Sequence, residues 1–121
     1  MGEAVHDFYR AWRRHIEQAV ADGRTARTTP RTAYAATVET LAALYDLPAA
    51  ERYAGRVALA SGADDGVRKR LKAWCRHGLL TSTAEDADTA HGLDRPPRRL
   101  YQFTDYGVAL AELAVKARDA S

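Results

Sequence analysis

Between Val67 and Leu80 the chain reads VRKRLKAWCRHGLL, five Arg or Lys residues with no acid among them. A Val, a Leu and a Trp recur through the same stretch at helical spacing. On a wheel turning about 100° per residue, Leu71, Trp74 and Gly78 fall in a narrow sector around Val67. Lys69 and Arg76 fall opposite, with Lys72 and Arg68 beside them. One face must therefore pack on a core while the other presents cations to whatever lies outside. A helix that only faces water usually mixes both charge signs. A face of one sign suits a polyanion, the alternative being an ordinary solvated basic surface.

The flanking sequence supplies partners for the apolar face. Val5, Phe8, Trp12, Ile16, Ala19 and Val20 recur at intervals of three and four, which predicts a helix over 3–21 closed by Asp22-Gly23. Residues 23–32 are a polar linker carrying Arg24, Arg27 and Arg31 without an acid. A second helix is expected from about Pro30 to Tyr45, with Tyr34, Val38, Leu41, Ala42 and Tyr45 inward, ended by Asp46-Leu47-Pro48. A third is expected near 49–60, burying Tyr53, Val57 and Ala60, with its start blurred by Gly55. Asp64 or Asp65 can cap the basic helix, which ends at Gly78. Residues 79–83 and 100–103 alternate like two strands of a hairpin, and 84–99, with Pro96-Pro97, reads as the loop between them. Thr104 can cap a last helix, Asp105 to about Arg118, whose apolar residues are Val108, Leu110, Ala111, Leu113 and Val115.

Length and composition narrow the class. At 121 residues the chain is one domain's worth. The net charge of +2 says little by itself, so the local clustering of cations carries the electrostatic argument. A single cysteine, Cys75, rules out an internal disulfide and fits a reducing cytosol. No apolar run reaches the roughly 18 residues a membrane span needs, and residues 1–15 lack the apolar core of a secretion signal. His6, His15, His77 and His91 show no metal-ligand spacing with Cys75 or with one another. Cys75 sits near a helix C-terminus, whose dipole opposes thiolate formation, so it reads as a packing residue. No phosphate loop and no nucleophile with a base is visible. A metal, a cofactor and an enzymatic activity are not expected.

The string RVALASGADDGVRKRLKAWCRHGLLT, Arg56 to Thr81, resembles the recognition unit of winged helix-turn-helix proteins, in particular bacterial regulators of the GntR, MarR and PadR types. Tyr101-Gln102-Phe103-Thr104-Asp105-Tyr106-Gly107 is similar to the segment that ends the wing in the MarR- and PadR-like proteins, and it follows in the right order. The resemblance covers roughly residues 49–115. It departs from the pattern at Asp64 and Asp65, where such proteins often carry Ser or Thr, and at Arg70, a flank position that is often small.

The resemblance implies a mainly α fold with a small β-hairpin wing (α+β), a single winged-helix domain over 1–121. An N-terminal helix (1–22) and a C-terminal helix (105–118) flank the helix-turn-helix and wing (49–104). It implies sequence-specific binding of double-stranded DNA by a dimeric transcriptional regulator, cytoplasmic and associated with the nucleoid. Lys69, Lys72 and Arg76 would meet base edges or phosphates in the major groove, with Arg68 on a flanking phosphate. Arg95, Arg98 and Arg99, stiffened by Pro96 and Pro97, would carry the wing to the minor groove or backbone. Glu85, Asp86 and Asp88 would either repel DNA or fold away. Arg24, Arg27 and Arg31 are further backbone candidates or a solvated linker. The terminal helices either complete the core of one copy or meet a second. A plasmid- or phage-borne replication or partition factor would look the same, and a winged helix docking an acidic protein is the reading from another class.

Overall fold

A computed structural model describes residues 2–26, 33–62 and 66–120. In chain order its elements are α1 (Gly2–Ala21), α2 (Tyr34–Asp46), a 3-10 turn (Ala49–Glu51), α3 (Ala54–Ser61), α4 (Val67–Arg76), β1 (Leu80–Ala84), α5 (Ala87–Gly92), β2 (Arg99–Phe103) and α6 (Asp105–Asp119). The architecture is mainly helical with one two-stranded antiparallel sheet, an α+β arrangement. No helix among the described residues is long and apolar enough to cross a membrane.

The stripe on α1 docks as its spacing predicts. Phe8, Trp12 and Ile16 are buried, Phe8 and Trp12 stack at 5.9 Å, and Trp12 meets Trp74 of α4 edge-on at 5.9 Å. Each large apolar side chain so buried stabilises by roughly 1.5–3 kcal/mol. The exposed Arg10–Asp7 pair on the same helix (3.2 Å) contributes about 1 kcal/mol at most. The aromatic face therefore decides how α1 sits. It packs against α6, which in turn lies along α2, with Ala111, Ala114 and Ala117 small enough to allow close approach. Val57, Leu71, Leu79 and Leu110 join the same cluster, so both terminal helices complete one continuous core with α4. Val20 departs from the expected stripe: it is exposed, and His15 is buried in its neighbourhood instead.

Two glycine stops set where α1 and α4 end. Gly23 (φ +73°) and Gly78 (φ +82°) adopt the left-handed conformation. After α1, Gly23 N–H donates to Val20 O (3.1 Å) and Arg24 N–H to Ala19 O (2.8 Å). After α4, Gly78 N–H donates to Cys75 O (3.2 Å) and Leu79 N–H to Trp74 O (2.9 Å). Both pairs satisfy the last carbonyls of their helix and turn the chain sharply. β1 then pairs with β2 in the register Leu80↔Phe103, Ser82↔Tyr101 and Ala84↔Arg99, one residue further towards the loop on each strand than the alternation predicts. Thr104 caps α6 by accepting from Gly107 N–H (3.0 Å), as expected, and its hydroxyl also donates to Gly78 O (2.7 Å).

The structure corrects the sequence reading in three further places. The helix expected over 49–60 is broken: Arg52 and Tyr53 are non-helical, and α3 begins at Ala54. Arg52 Nε donates to Leu44 O (3.1 Å) and Leu47 O (3.0 Å) at the open end of α2, while Arg52 O accepts from Tyr101 N–H (2.9 Å). These tertiary bonds outweigh local helix propensity, leaving Ala60 exposed and Tyr53 half-buried outside the helix. The loop expected over 84–99 contains α5, capped by the Asp86 carboxylate, which accepts from Thr89 N–H (3.0 Å), and anchored by fully buried Ala90. The second helix is present over Tyr34–Asp46, and its expected start at 30–32 lies outside the described residues. The residue capping α4 is Gly66 (φ +80°), and the capping candidates Asp64 and Asp65 lie outside the described residues.

Candidate nucleic-acid interface

The basic face of α4 opens onto a groove of about 640 Å³ whose opposite wall is the loop entering β2. Val67, Leu71 and Trp74 hold α4 in the core, so Arg68, Lys69 and Lys72 are left exposed along the groove. Arg95, Arg98 and Arg99 line the other side, and the rings of Tyr53 and Tyr101 also line it. Six of the seven cations picked out from the sequence thus meet around one concavity. The seventh, Arg76, lies elsewhere, in a cleft beside the turn that follows α1.

The loop-side cations are individually positioned. Arg95 forms a two-pronged ion pair with Glu85, one contact very short and the other, Nη2 to Oε2, at 2.9 Å. The guanidinium holds the Glu85 carboxyl below its ordinary range, and Glu85 in turn raises Arg95. Glu85 N–H donates to Arg98 O (2.7 Å), extending the β1–β2 ladder by one rung. Arg98 lies over the Tyr53 ring at 4.0 Å, a cation–π contact that stiffens it at the groove wall. Arg99 Nη1 donates to Ser82 Oγ (3.1 Å) across the strand pair.

Two consequences follow for the expected site. Arg95 is engaged by Glu85, so its charge is largely offset where it stands. The other five groove cations form no ion pair with any described residue. The acids of the loop are disposed of in the same way: Glu85 holds Arg95 and Asp86 caps α5. Tyr53 and Tyr101 were missed as groove residues, because Tyr53 reads as the buried face of a helix and Tyr101 as a strand residue. Cys75 lies nearby; burial pushes its thiol up, with a hydrogen bond from Ser82 and the charge of Arg99 acting the other way. Among the described residues no group of three His, Cys, Asp or Glu side chains could hold a metal ion.

Beyond the end of α4 lies a polar cluster that spacing does not announce. His15 Nε2 is 3.2 Å from His77 Nδ1, and His15 Nδ1 is 2.9 Å from the Tyr106 hydroxyl. Both rings are buried, and His77 Nε2 has no hydrogen-bond partner among the described residues. Burial, then the neighbouring His77, then Arg24 lower the His15 pKa from 6.5 to about 4. His77 is lowered too, by burial first and then by Arg76 and Arg24. Because the folded pKa lies below the unfolded one, the unfolded chain takes up protons first. The stability of the neutral pair is therefore complete above about pH 6.5 and is lost as the pH falls towards 4. Chemical denaturation at pH 7 and pH 4.5 is expected to differ by about 2–3 kcal/mol from His15 alone. An equal decline in a His15→Leu variant would show that other groups govern the acid limb.

No family model, curated protein or solved structure matches this chain.

Proposed function

We propose that the protein is a winged helix-turn-helix binder of double-stranded DNA, acting as a dimeric bacterial transcriptional regulator in the cytoplasm. α3 and α4 would form the helix-turn-helix, α4 the recognition helix, and the β1–β2 hairpin with α5 in its loop the wing. The observation that carries the reading is the convergence of α4 and loop cations on one groove, five of them with no ion pair among the described residues. An α-helix fits the major groove, where Arg68, Lys69 and Lys72 would meet phosphates or the O6 and N7 of guanine. Arg98 and Arg99 would meet the backbone alongside. No catalytic role is assigned to any of these groups.

The test is selection of the purified protein against a random-sequence duplex library at about 50 and 200 mM salt. A protein making 6–10 phosphate contacts loses about 10³–10⁵ in affinity over that change. An enriched palindrome with half-sites about 10 base pairs apart is the expected result for a dimer reading successive major grooves. Tight binding without selection would point to an architectural or partition role. No binding at either salt would overturn the proposal and turn attention to an acidic protein partner.

A further inference from the structure

Of the seven cations expected on the recognition helix and wing, Arg76 is the one that lies outside the groove. It lies with Arg24 in an open cleft of about 660 Å³ between the end of α4 and the Gly23–Ala26 turn. Both arginines are exposed. Arg24 is held there by the Gly23 stop, its N–H bound to Ala19 O (2.8 Å), and its Nη1 reaches to 2.7 Å from where a Cβ on Gly78 would stand. The charges of both guanidiniums bear on His77, just past the end of α4.

Two like charges brought together need a counter-charge. The C-terminal ends of α1 and α4 meet here, and each carries about half a negative charge. These partial charges favour cations at this spot without neutralising them. The Asp22 carboxylate accepts from Gln18 Nε2 (2.9 Å) and shares the adjoining cavity with Arg24, His15 and Tyr106, without forming an ion pair with Arg24. No ion pair joins either arginine to a described acid. His15 and His77, buried and neutral at pH 7, bring no further charge. The cleft thus presents two guanidiniums with no ion pair to a described acid, an arrangement that an anion such as a phosphodiester would complement.

We infer that Arg24 and Arg76 form a two-arginine clamp for a single DNA backbone phosphate, at the C-terminal end of α4 and outside the wing-side groove. The inference rests on the DNA-binding reading and refines it: Arg76 positions the helix on the duplex and reads no base. A helix in the major groove has a sugar–phosphate strand on each side. Arg98 and Arg99 would meet one strand and the clamp the other, which would hold α4 in register.

The experiment compares wild type with Arg24→Gln, Arg76→Gln and the double variant on 25-base-pair duplexes of several sequences, between 50 and 200 mM salt. One phosphate contributes about 0.9 to the log–log salt slope. The double variant is expected to lose about 0.9 of slope, not twice that, and about tenfold in affinity near 0.1 M salt, equally on every sequence. Arg24→Lys with Arg76→Lys should keep most of the slope. A double variant with the wild-type slope overturns the clamp while leaving DNA binding standing. A loss confined to particular sequences overturns it as well, by making the arginines readers of bases. If wild type itself binds no duplex at 50 mM salt, the DNA reading falls and the clamp with it.

Discussion

Replacing Lys69, Lys72 and Arg99 together by alanine is expected to lower affinity for duplex DNA by roughly 10²–10³ at 0.1 M salt. Each phosphate contact adds about 0.9 to the salt slope, which at that concentration is worth nearly tenfold. The three residues are chosen because all are exposed, all line the groove, and none is tied into an ion pair with a described residue. None belongs to the core, so the fold should survive, and far-ultraviolet circular dichroism can verify that. Titration over a range of salt should show the slope falling by about 3. Arg95→Gln is the contrast. Its charge already faces Glu85, so its loss should leave the slope nearly unchanged while loosening the loop. If the triple variant binds as wild type does, the groove is not the DNA surface.

Gly107→Ala should destabilise the fold by about 3 kcal/mol or more, near the upper end of what overpacking costs. A Cβ at Gly107 would stand 2.0 Å from Leu79 O and 2.9 Å from Leu79 C. These are backbone atoms just past the Gly78 stop, and Leu79 O also accepts from Thr104 N–H (3.0 Å). No side-chain rotation can relieve the clash. α6 must lift from the α4–β1 turn, and the Thr104 bonds to Gly78 O and Gly107 N–H would be strained with it. For a domain of this size the loss corresponds to a fall of about 10 °C or more in Tm. Gly92 is the control: nothing lies within 4 Å of its Cβ position, so Gly92→Ala should be neutral or stabilising by up to about 1 kcal/mol. Thermal unfolding of the two variants decides it. A Gly107→Ala protein melting within 2–3 °C of wild type would mean that α6 does not depend on this close approach.

The elements legible in the chain were those whose cause is local. The two faces of α4 follow from the 3.6-residue period acting on VRKRLKAW, and burial of Val67, Leu71 and Trp74 sends Lys69 and Lys72 outward. Gly23 and Gly78 end their helices because a left-handed residue is needed there, and Thr104 caps α6 through a bond that spans three residues. α5 was local too, with Asp86 capping through Thr89, but six helical residues make too short a pattern to separate from a loop.

What remained out of reach depends on partners far along the chain. Periodicity favoured a helix through Arg52 and Tyr53, and the carbonyls of α2 together with Tyr101 broke it. His15 and His77 stand 62 residues apart and leave no spacing to read. Arg95 and Arg99 look alike in sequence, yet one is bound to a carboxylate and the other only to a hydroxyl. Arg76 shares a wheel face with Lys69, but the turn after α1 draws it into company with Arg24. A helix wheel tells which side of a helix meets solvent. Which groups stand beside each cation there is set by how the other elements pack, and that decides which charges remain open to a partner.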